Sequence, residues 1–391
     1  MRQGRGKTVR IVLVHDYLNQ RGGAERVVGE MHRMYPNAEI YTLFVDRAKL
    51  WDSLNDAKIV TSLLQQVPFV RNHFKLFFWL YPFVVRTLKI PDCDVVVTSS
   101  SAYAKGIHIE TRHGRRPVHV CYCHNPMRFA WDFDAYMKNE TGNKLLARLA
   151  RTLVPFLQRW DLQTVRDVDV FIANSTVVQQ RIARIYQRYA EVIFPPVEVP
   201  QALSMAKRHQ DYYLVVSRLV SYKRIDLAVR ACSRLQKRLV VIGTGPDKAR
   251  LEAMAGPTVE FLGWQSDDVV KRYMRECMAL IFPGEEDFGI TPVEVNGHGR
   301  PVVAYRGGGA LDTVVDGING VFFDRPTVQS LKEALLRVER LEWDGWEIRN
   351  IALRFDQTRF QEDFAKVINS VAGKSQVTSA VIEQKEALGG F

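Results

Sequence analysis

The most constraining stretch of the chain runs from Met278 to Gly309. Met278–Phe282 is a short apolar run of strand type, and Pro301–Tyr305 is another. Between them lie Gly284, Glu286, Phe288, Gly289, Thr291, Pro292 and Glu294. Thr291-Pro292 predicts a helix start, because Thr caps a helix and Pro is tolerated at its first position. The unit therefore reads strand, glycine-bearing loop, short helix, strand. In that geometry the free N–H groups of a helix start face whatever binds at the carboxyl end of a parallel sheet.

Glu286 and Glu294 are separated by seven residues, one on the loop and one about a turn into the helix. Carboxylates only accept hydrogen bonds, so they suit the paired hydroxyls of a sugar or ribose. The N–H groups between them suit a phosphate. One element can then hold both ends of a nucleotide sugar. Taken alone, the same spacing also describes two solvated glutamates around a capped helix.

At 391 residues the chain fits two domains plus a tail. Its +11 charge is unevenly placed: residues 1–200 hold 28 basic and 18 acidic side chains, residues 201–391 hold 26 and 25. The excess predicts an anionic partner for the first half: a membrane surface, a phosphorylated acceptor or nucleic acid. Five cysteines without framework spacing argue for a reducing compartment. Cys121 and Cys123 beside His124 lack a second ligand pair, so they are read as buried strand residues. The apolar run Ile11–Val14 is too short for a signal sequence, and no long apolar window predicts a membrane span.

In the first half, Val9–Val14 reads as a strand. His15-Asp16-Tyr17 leads from it to Gly22-Gly23 and a helical pattern ending near Met34. A Gly-Gly loop at a helix start lets backbone N–H groups approach a phosphate or an acceptor. Gly4–Thr8 resembles the end of a P-loop but precedes the first strand, so it is read as a basic N-terminus. Residues 67–90 interleave Phe77, Trp79 and other aromatics with Arg71, Lys75 and Arg86. The uncharged core, Leu76–Val85, contains Pro82 and cannot span a bilayer. It can lie in the interfacial plane against anionic lipid, or pack on the sheet with its cations snorkelling. Asp94–Thr98 is a further strand, ending in Ser99-Ser100-Ser101. A strand from Val118 ends at His124, before Asn125-Pro126, where Rossmann-like folds place their chemistry. Val170–Asn174 and Val192–Phe194 are the last strands of this half, and Pro195-Pro196 with Pro200 reads as a hinge.

In the second half, Tyr212–Val216 runs into a loop holding Arg218 and Lys223, a fork and a point charge that suit a diphosphate. Leu239–Ile242 leads to Gly243-Thr244-Gly245, which suggests a nearby nucleotide. The third glycine of a dinucleotide fingerprint is replaced by Lys248. Val259–Leu262 leads to Gly263-Trp264. Gly307-Gly308-Gly309 follows Pro301–Tyr305, and Val321–Phe323 follows turn signals. Residues 328–341 and 357–370 are helical in pattern. The chain from about Gly373 is expected to be a mobile tail.

Several of these features together resemble the family 4 retaining glycosyltransferases. They are the spacing of Glu286 and Glu294 around Phe288-Gly289, the Gly307–Gly309 loop, the Arg218-Leu219…Lys223…Asp226 pattern, and Gly22-Gly23. The string His124-Asn125-Pro126-Met127-Arg128-Phe129 with Trp131-Asp132 is similar to a signature of bacterial O-antigen and exopolysaccharide mannosyltransferases. The resemblance implies an α/β chain of GT-B fold, two Rossmann-like domains facing across a cleft. It places an acceptor domain at 1–198, a nucleotide-sugar domain at 199–355, and a helix crossing back, with the tail, at 356–391. It also implies catalytic positions at His124, Arg218, Lys223 and Glu286. Donor contacts fall at Gly22, Gly23, Gly243, Gly263, Trp264, Phe288, Gly289, Ile290 and Glu294. Acceptor or membrane contacts fall at Arg128, Arg71, Lys75, Phe77, Trp79 and Arg86.

The implied reaction moves a hexose, α-mannose from GDP-mannose, onto a lipid-linked (polyprenyl diphosphate) oligosaccharide. The implied location is the cytoplasm, at the inner face of the cell membrane. Another GDP or UDP sugar is the alternative donor, and a UDP-sugar 2-epimerase of the same fold is the alternative enzyme. No cofactor or metal is expected, since Asp92-Cys93-Asp94 and Asp132-Phe133-Asp134 do not stand at strand ends. Nucleic acid is not expected as a partner, because the chain has no recognised binding motif for it.

Overall fold

The computed structural model describes residues 9–67, 69–111, 115–133, 144–203 and 210–388. Within these it leaves out the side chains of 71, 72, 75, 144–147, 149 and 374–388. The chain forms two compact units, Met1–Ile193 with Phe360–Phe391, and Phe194–Arg359.

The first unit carries β1 (Ile11–His15), β2 (Ile40–Thr42), β3 (Ile59–Thr61), β4 (Val95–Ser100), β5 (Val118–Cys123), β6 (Val170–Ala173) and β7 (Ala190–Val192). They form one parallel sheet in the order β3-β2-β1-β4-β5-β6-β7. The strands are apolar on both faces, as parallel strands covered on both sides must be. Ile11 and Leu13 enter one core, and Val12 and Val14 the other. The first core is closed by the C-terminal helix, Gln357–Leu388, through Phe360, Phe364, Val367, Ile368 and Val371. Those positions recur at the three- and four-residue spacing of one helix face. The helix runs past Gly373 to Leu388. A single glycine costs only about 1 kcal/mol in a helix, so Gly373 does not end it.

A buried polar cluster ties the first unit together. Lys105, on a turn after β4, pairs with Asp161 on the helix Lys144–Val165. The other Asp161 oxygen accepts from Trp131 Nε1 at 2.7 Å and from the Tyr186 hydroxyl at 2.8 Å. Trp131 closes the short helix Arg128–Trp131, and Tyr186 ends the helix Thr176–Tyr186, which Ser175 caps through Val178 N–H. Three segments thus converge on one carboxylate of a fourth.

The second unit carries β8 (Tyr213–Val216), β9 (Leu239–Ile242), β10 (Val259–Gly263), β11 (Ala279–Phe282), β12 (Val302–Tyr305) and β13 (Gly320–Phe323). They form a parallel sheet in the order β10-β9-β8-β11-β12-β13. The helix Ile290–Gly297 joins β11 to β12. Asn296 on that helix accepts from Asn319, whose amide also donates to Thr313 O, and donates in turn to the carbonyls of Arg300 and Asn319. This satisfied pair locks the helix to the turn before β13.

Residues 67–90 fold as single turns of α- and 3₁₀-helix, at Val70–His73, Phe74–Phe77, Tyr81–Val84 and Val85–Thr87. Val70, Tyr81 and Val85 are buried, while Phe69, Leu76, Trp79 and Phe83 are exposed. No helix among the described residues is long and apolar enough to cross a membrane.

Asp161→Ala should cost about 3–5 kcal/mol of stability, because it leaves the Lys105 charge buried and unpaired. Urea denaturation at constant slope measures it. A loss below about 1 kcal/mol would mean that Lys105 reaches solvent instead.

Candidate functional site

Strand order reverses once in each sheet, between β1 and β4 in the first unit and between β8 and β11 in the second. Connections leave such a point on opposite faces, which opens a crevice outside the carboxyl ends of the strands.

In the first unit that end holds His15, Asp16, Ser99 and His124, all buried. The Asp16 carboxylate accepts four backbone N–H groups, from Ser101, Ala102, Tyr103 and Ala104, at 2.6–3.0 Å. It thereby fixes the turn after β4. His15 Nδ1 lies 3.0 Å from the Ser99 carbonyl and 3.1 Å from its hydroxyl. That hydroxyl lies 2.7 Å from His124 Nε2. Burial opposes a charge on His15, but the nearby Glu25 carboxylate outweighs it, with help from Asp16 and the Ser99 carbonyl, and its pKa is raised. Burial pushes His124 down to about 3, and the neighbouring His15 adds to this. Gly22 caps the helix Gly23–Met34, and a Cβ on it would meet a Glu25 oxygen at 2.5 Å. Gly22 therefore sits directly over Glu25.

In the second unit the loops after β8 and β11 meet. Lys223 Nζ pairs with the Glu286 carboxylate. A Cβ on Gly284 would lie 2.8 Å from the Lys223 backbone, so only glycine lets these two loops pack. Gly309 N–H donates to Glu286 O at 2.8 Å, and a Cβ there would meet Phe288 Cα at 2.2 Å. The triple-glycine loop thus packs on the segment that carries Glu286. Gly289, with φ +87°, precedes the helix Ile290–Gly297. The helix starts there and not at Thr291-Pro292, because the positive φ of Gly289 turns the chain into it. Glu294 is its fifth residue and half-buried. Among the described residues no group of three or more His, Cys, Asp and Glu side chains could hold a metal ion.

Two family profiles match the chain, Glycosyltransferase Family 4 over residues 21–200 and Glycosyl transferases group 1 over residues 204–352. The chain belongs to the family 4 glycosyltransferases.

A curated relative, the Uncharacterized glycosyltransferase MJ1178 of Methanocaldococcus jannaschii, is 31% identical over 175 residues. That match covers 44% of this chain and 49% of the relative, so the chain spans about half of its length. Alpha-1,3/1,6-mannosyltransferase ALG2 of Kluyveromyces lactis is 23% identical over 75% of this chain and 69% of its own. Among solved structures, Anabaena Alr3699/HepE in complex with UDP-glucose aligns with a TM-score of 0.64 at 18% identity, over 92% of this chain and all of that one. The two parallel sheets and this likeness give the glycosyltransferase its two-domain α/β GT-B fold.

Within each unit the expected positions gather at the carboxyl end of the sheet. His124 directly follows β5, and Gly22 and Gly23 follow β1. Arg218 is exposed on the loop after β8. Gly243, with φ +132°, packs against Ser217 O, so its first role is to seat the loop that carries Arg218. Gly263 is at φ +68°, and Trp264 beside it is 70% exposed. Phe288 is buried, and Ile290 opens the helix. Arg128 and Phe77 are half-buried, Trp79 and Arg86 exposed. The side chains of Arg71 and Lys75 lie outside the described residues. Asp16 and Ser99 were not singled out in the sequence, although both are polar residues at strand ends beside the strand-order reversal.

Gly309→Ala should weaken nucleoside diphosphate binding by about tenfold or more, because the loop must lift off Phe288. Gly317→Ala is the control: its φ is +81° but nothing lies within 4 Å of its Cβ. Calorimetric titration of both variants should show the loss only in the first.

Proposed function

We propose that this glycosyltransferase moves α-mannose from GDP-mannose to a lipid-linked oligosaccharide, with retention at the sugar. The pairing of Lys223 with Glu286 carries the proposal. It sets a cation suited to a diphosphate against a carboxylate suited to sugar hydroxyls, beside the start of the helix Ile290–Gly297. Glu294 on that helix would take the ribose hydroxyls. In the reaction the bond from the sugar's anomeric carbon to the phosphate oxygen breaks. The acceptor oxygen bonds the same carbon from the same face, and its proton passes to the leaving phosphate. Lys223, Arg218 and helix N–H groups would stabilise the charge on the diphosphate without a metal ion.

Mannose is favoured by the His124–Asp132 string and by similarity to a yeast mannosyltransferase. A UDP sugar is the second reading, supported by the UDP-glucose complex of a structural neighbour.

The lipid-linked acceptor is supported by the first unit's surface. Phe69, Leu76, Trp79 and Phe83 are 47–73% exposed, and Phe83 stacks on the exposed Phe156. Arg86 and Lys89 are exposed nearby in sequence, in the half that holds nearly all the excess charge. Such a surface suits the interface of an anionic membrane, at the cytoplasmic face of the cell membrane.

Thermal shifts with GDP, UDP, ADP and their common sugars should show a rise for GDP and GDP-mannose alone. A rise with UDP alone would replace the donor, and no rise with any of them would remove the site assignment. Lys223→Ala should lower kcat by about 10²–10³-fold, whereas Glu294→Ala should mainly weaken nucleotide binding. The protein should co-sediment with vesicles containing anionic lipid, and Trp79→Ser with Phe83→Ser should abolish this. Absence of binding by the wild type, or equal binding to DNA, would refute the membrane assignment.

A further inference from the structure

The hydrogen-bond chain behind His124 has only one consistent direction. The Ser99 carbonyl can only accept, so His15 Nδ1, 3.0 Å away, carries a proton. That proton is shared with the Ser99 hydroxyl oxygen at 3.1 Å. Among the described residues this hydroxyl has one other partner, His124 Nε2 at 2.7 Å. If His124 donated from Nε2, the Ser99 proton would have no acceptor, because His15 Nδ1 is already a donor. Ser99 must therefore donate to His124 Nε2. Glu25 completes the chain from the far side. Its carboxylate lies 3.9 Å from His15 Nε2, in a pocket where both side chains are at most 4% exposed. At that distance it favours a charged His15 electrostatically, without a hydrogen bond.

We infer that Ser99 and His15 are positioning residues that fix His124 as the Nδ1–H tautomer, with Glu25 holding the far end of the chain. The effect reaches the glycine loop as well, because Gly22 lies directly over Glu25. A neutral His124 in this form can donate from Nδ1 and cannot accept there. The consequence for turnover rests on the function proposed above and on the catalytic position that the family resemblance implies for His124. The tautomer itself does not.

The test is long-range ¹H–¹⁵N correlation of the full chain labelled on histidine at neutral pH. The His124 signals are identified by their loss in His124→Asn. The wild type should show an unprotonated Nε2 and a protonated Nδ1 for that ring. Ser99→Ala should move the His124 signals toward the other tautomer and lower kcat by about tenfold or more, with the donor KM little changed. His119 serves as an internal folding control. Its Nδ1 faces Asp167 O and its Nε2 faces Thr98, so its signals should stay in place. Ser99→Thr, which keeps the hydroxyl, should restore both readouts.

A wild-type His124 protonated at Nε2, or an unchanged His124 spectrum in a folded Ser99→Ala, would overturn the inference. The expected spectra with undiminished turnover would uphold the tautomer and refute the role of His124 in the proposed reaction.

Discussion

A parallel sheet whose strand order reverses once has a single place where neighbouring connections part. Both units are built around such a place, at β1 and β4 in one and at β8 and β11 in the other. The positions of the paired candidate side chains follow from it. His15, Asp16, Ser99 and His124 stand at adjacent strand ends because β1, β4 and β5 are adjacent. Lys223 meets Glu286 because the loops after β8 and β11 leave adjacent strands. Glycines then set how closely those loops approach. Gly284, Gly308 and Gly309 each leave less than 3 Å between a would-be Cβ and a neighbouring backbone atom. A side chain at Gly284 would push apart the segments that carry Lys223 and Glu286, and one at Gly308 or Gly309 would lift the triple-glycine loop off Glu286 and Phe288.

The two units treat charge differently. In the first, the carboxylates of Asp16 and Asp161 are buried with strong donors on both oxygens. A carboxylate held in this way is a structural fixture, since removing its donors would leave a buried charge. In the second, Lys223 and Glu286 form a pair whose side chains are 16% and 22% exposed. Water reaches such a pair, and it contributes little net stability. It can be exchanged for the charges and hydroxyls of a ligand at small cost. The first unit is thus made to hold a shape, and the second keeps charges available.

How far the sequence reveals this depends on the range of the interaction. The longer apolar strands were legible to within a residue or two, because they are continuous runs between turn signals. β2 and β3 were not, since three residues each give no period to read. The helix after β11 is legible, but its first residue is Ile290, two residues before Pro292, because a positive φ at Gly289 leaves no compositional trace beyond the glycine itself. Lys223 and Glu286 were both singled out, yet only the fold shows that they touch. The least legible residues were Asp16 and Ser99. Their partners lie 25 to 88 positions away along the chain, and only the neighbouring of β1, β4 and β5 brings them together.

His15 and His124 show how finely that neighbouring divides one chemistry into two. Their rings are 6.5 Å apart at centroid, edge to face, and both are buried. Two imidazolium charges at that distance would repel by about 2.5 kcal/mol at an effective dielectric constant near 20. Only one can ionise without a further penalty. His15 has Glu25 on its open side, whereas no carboxylate is paired with His124 among the described residues. The charge therefore settles on His15, and burial, with the field of His15 added, holds His124 neutral. A hydroxyl, which accepts and donates at one atom, can stand between a donor ring and an acceptor ring and satisfy both. In this arrangement Glu25, a residue of the helix that follows Gly22, governs the state of a histidine two strands away.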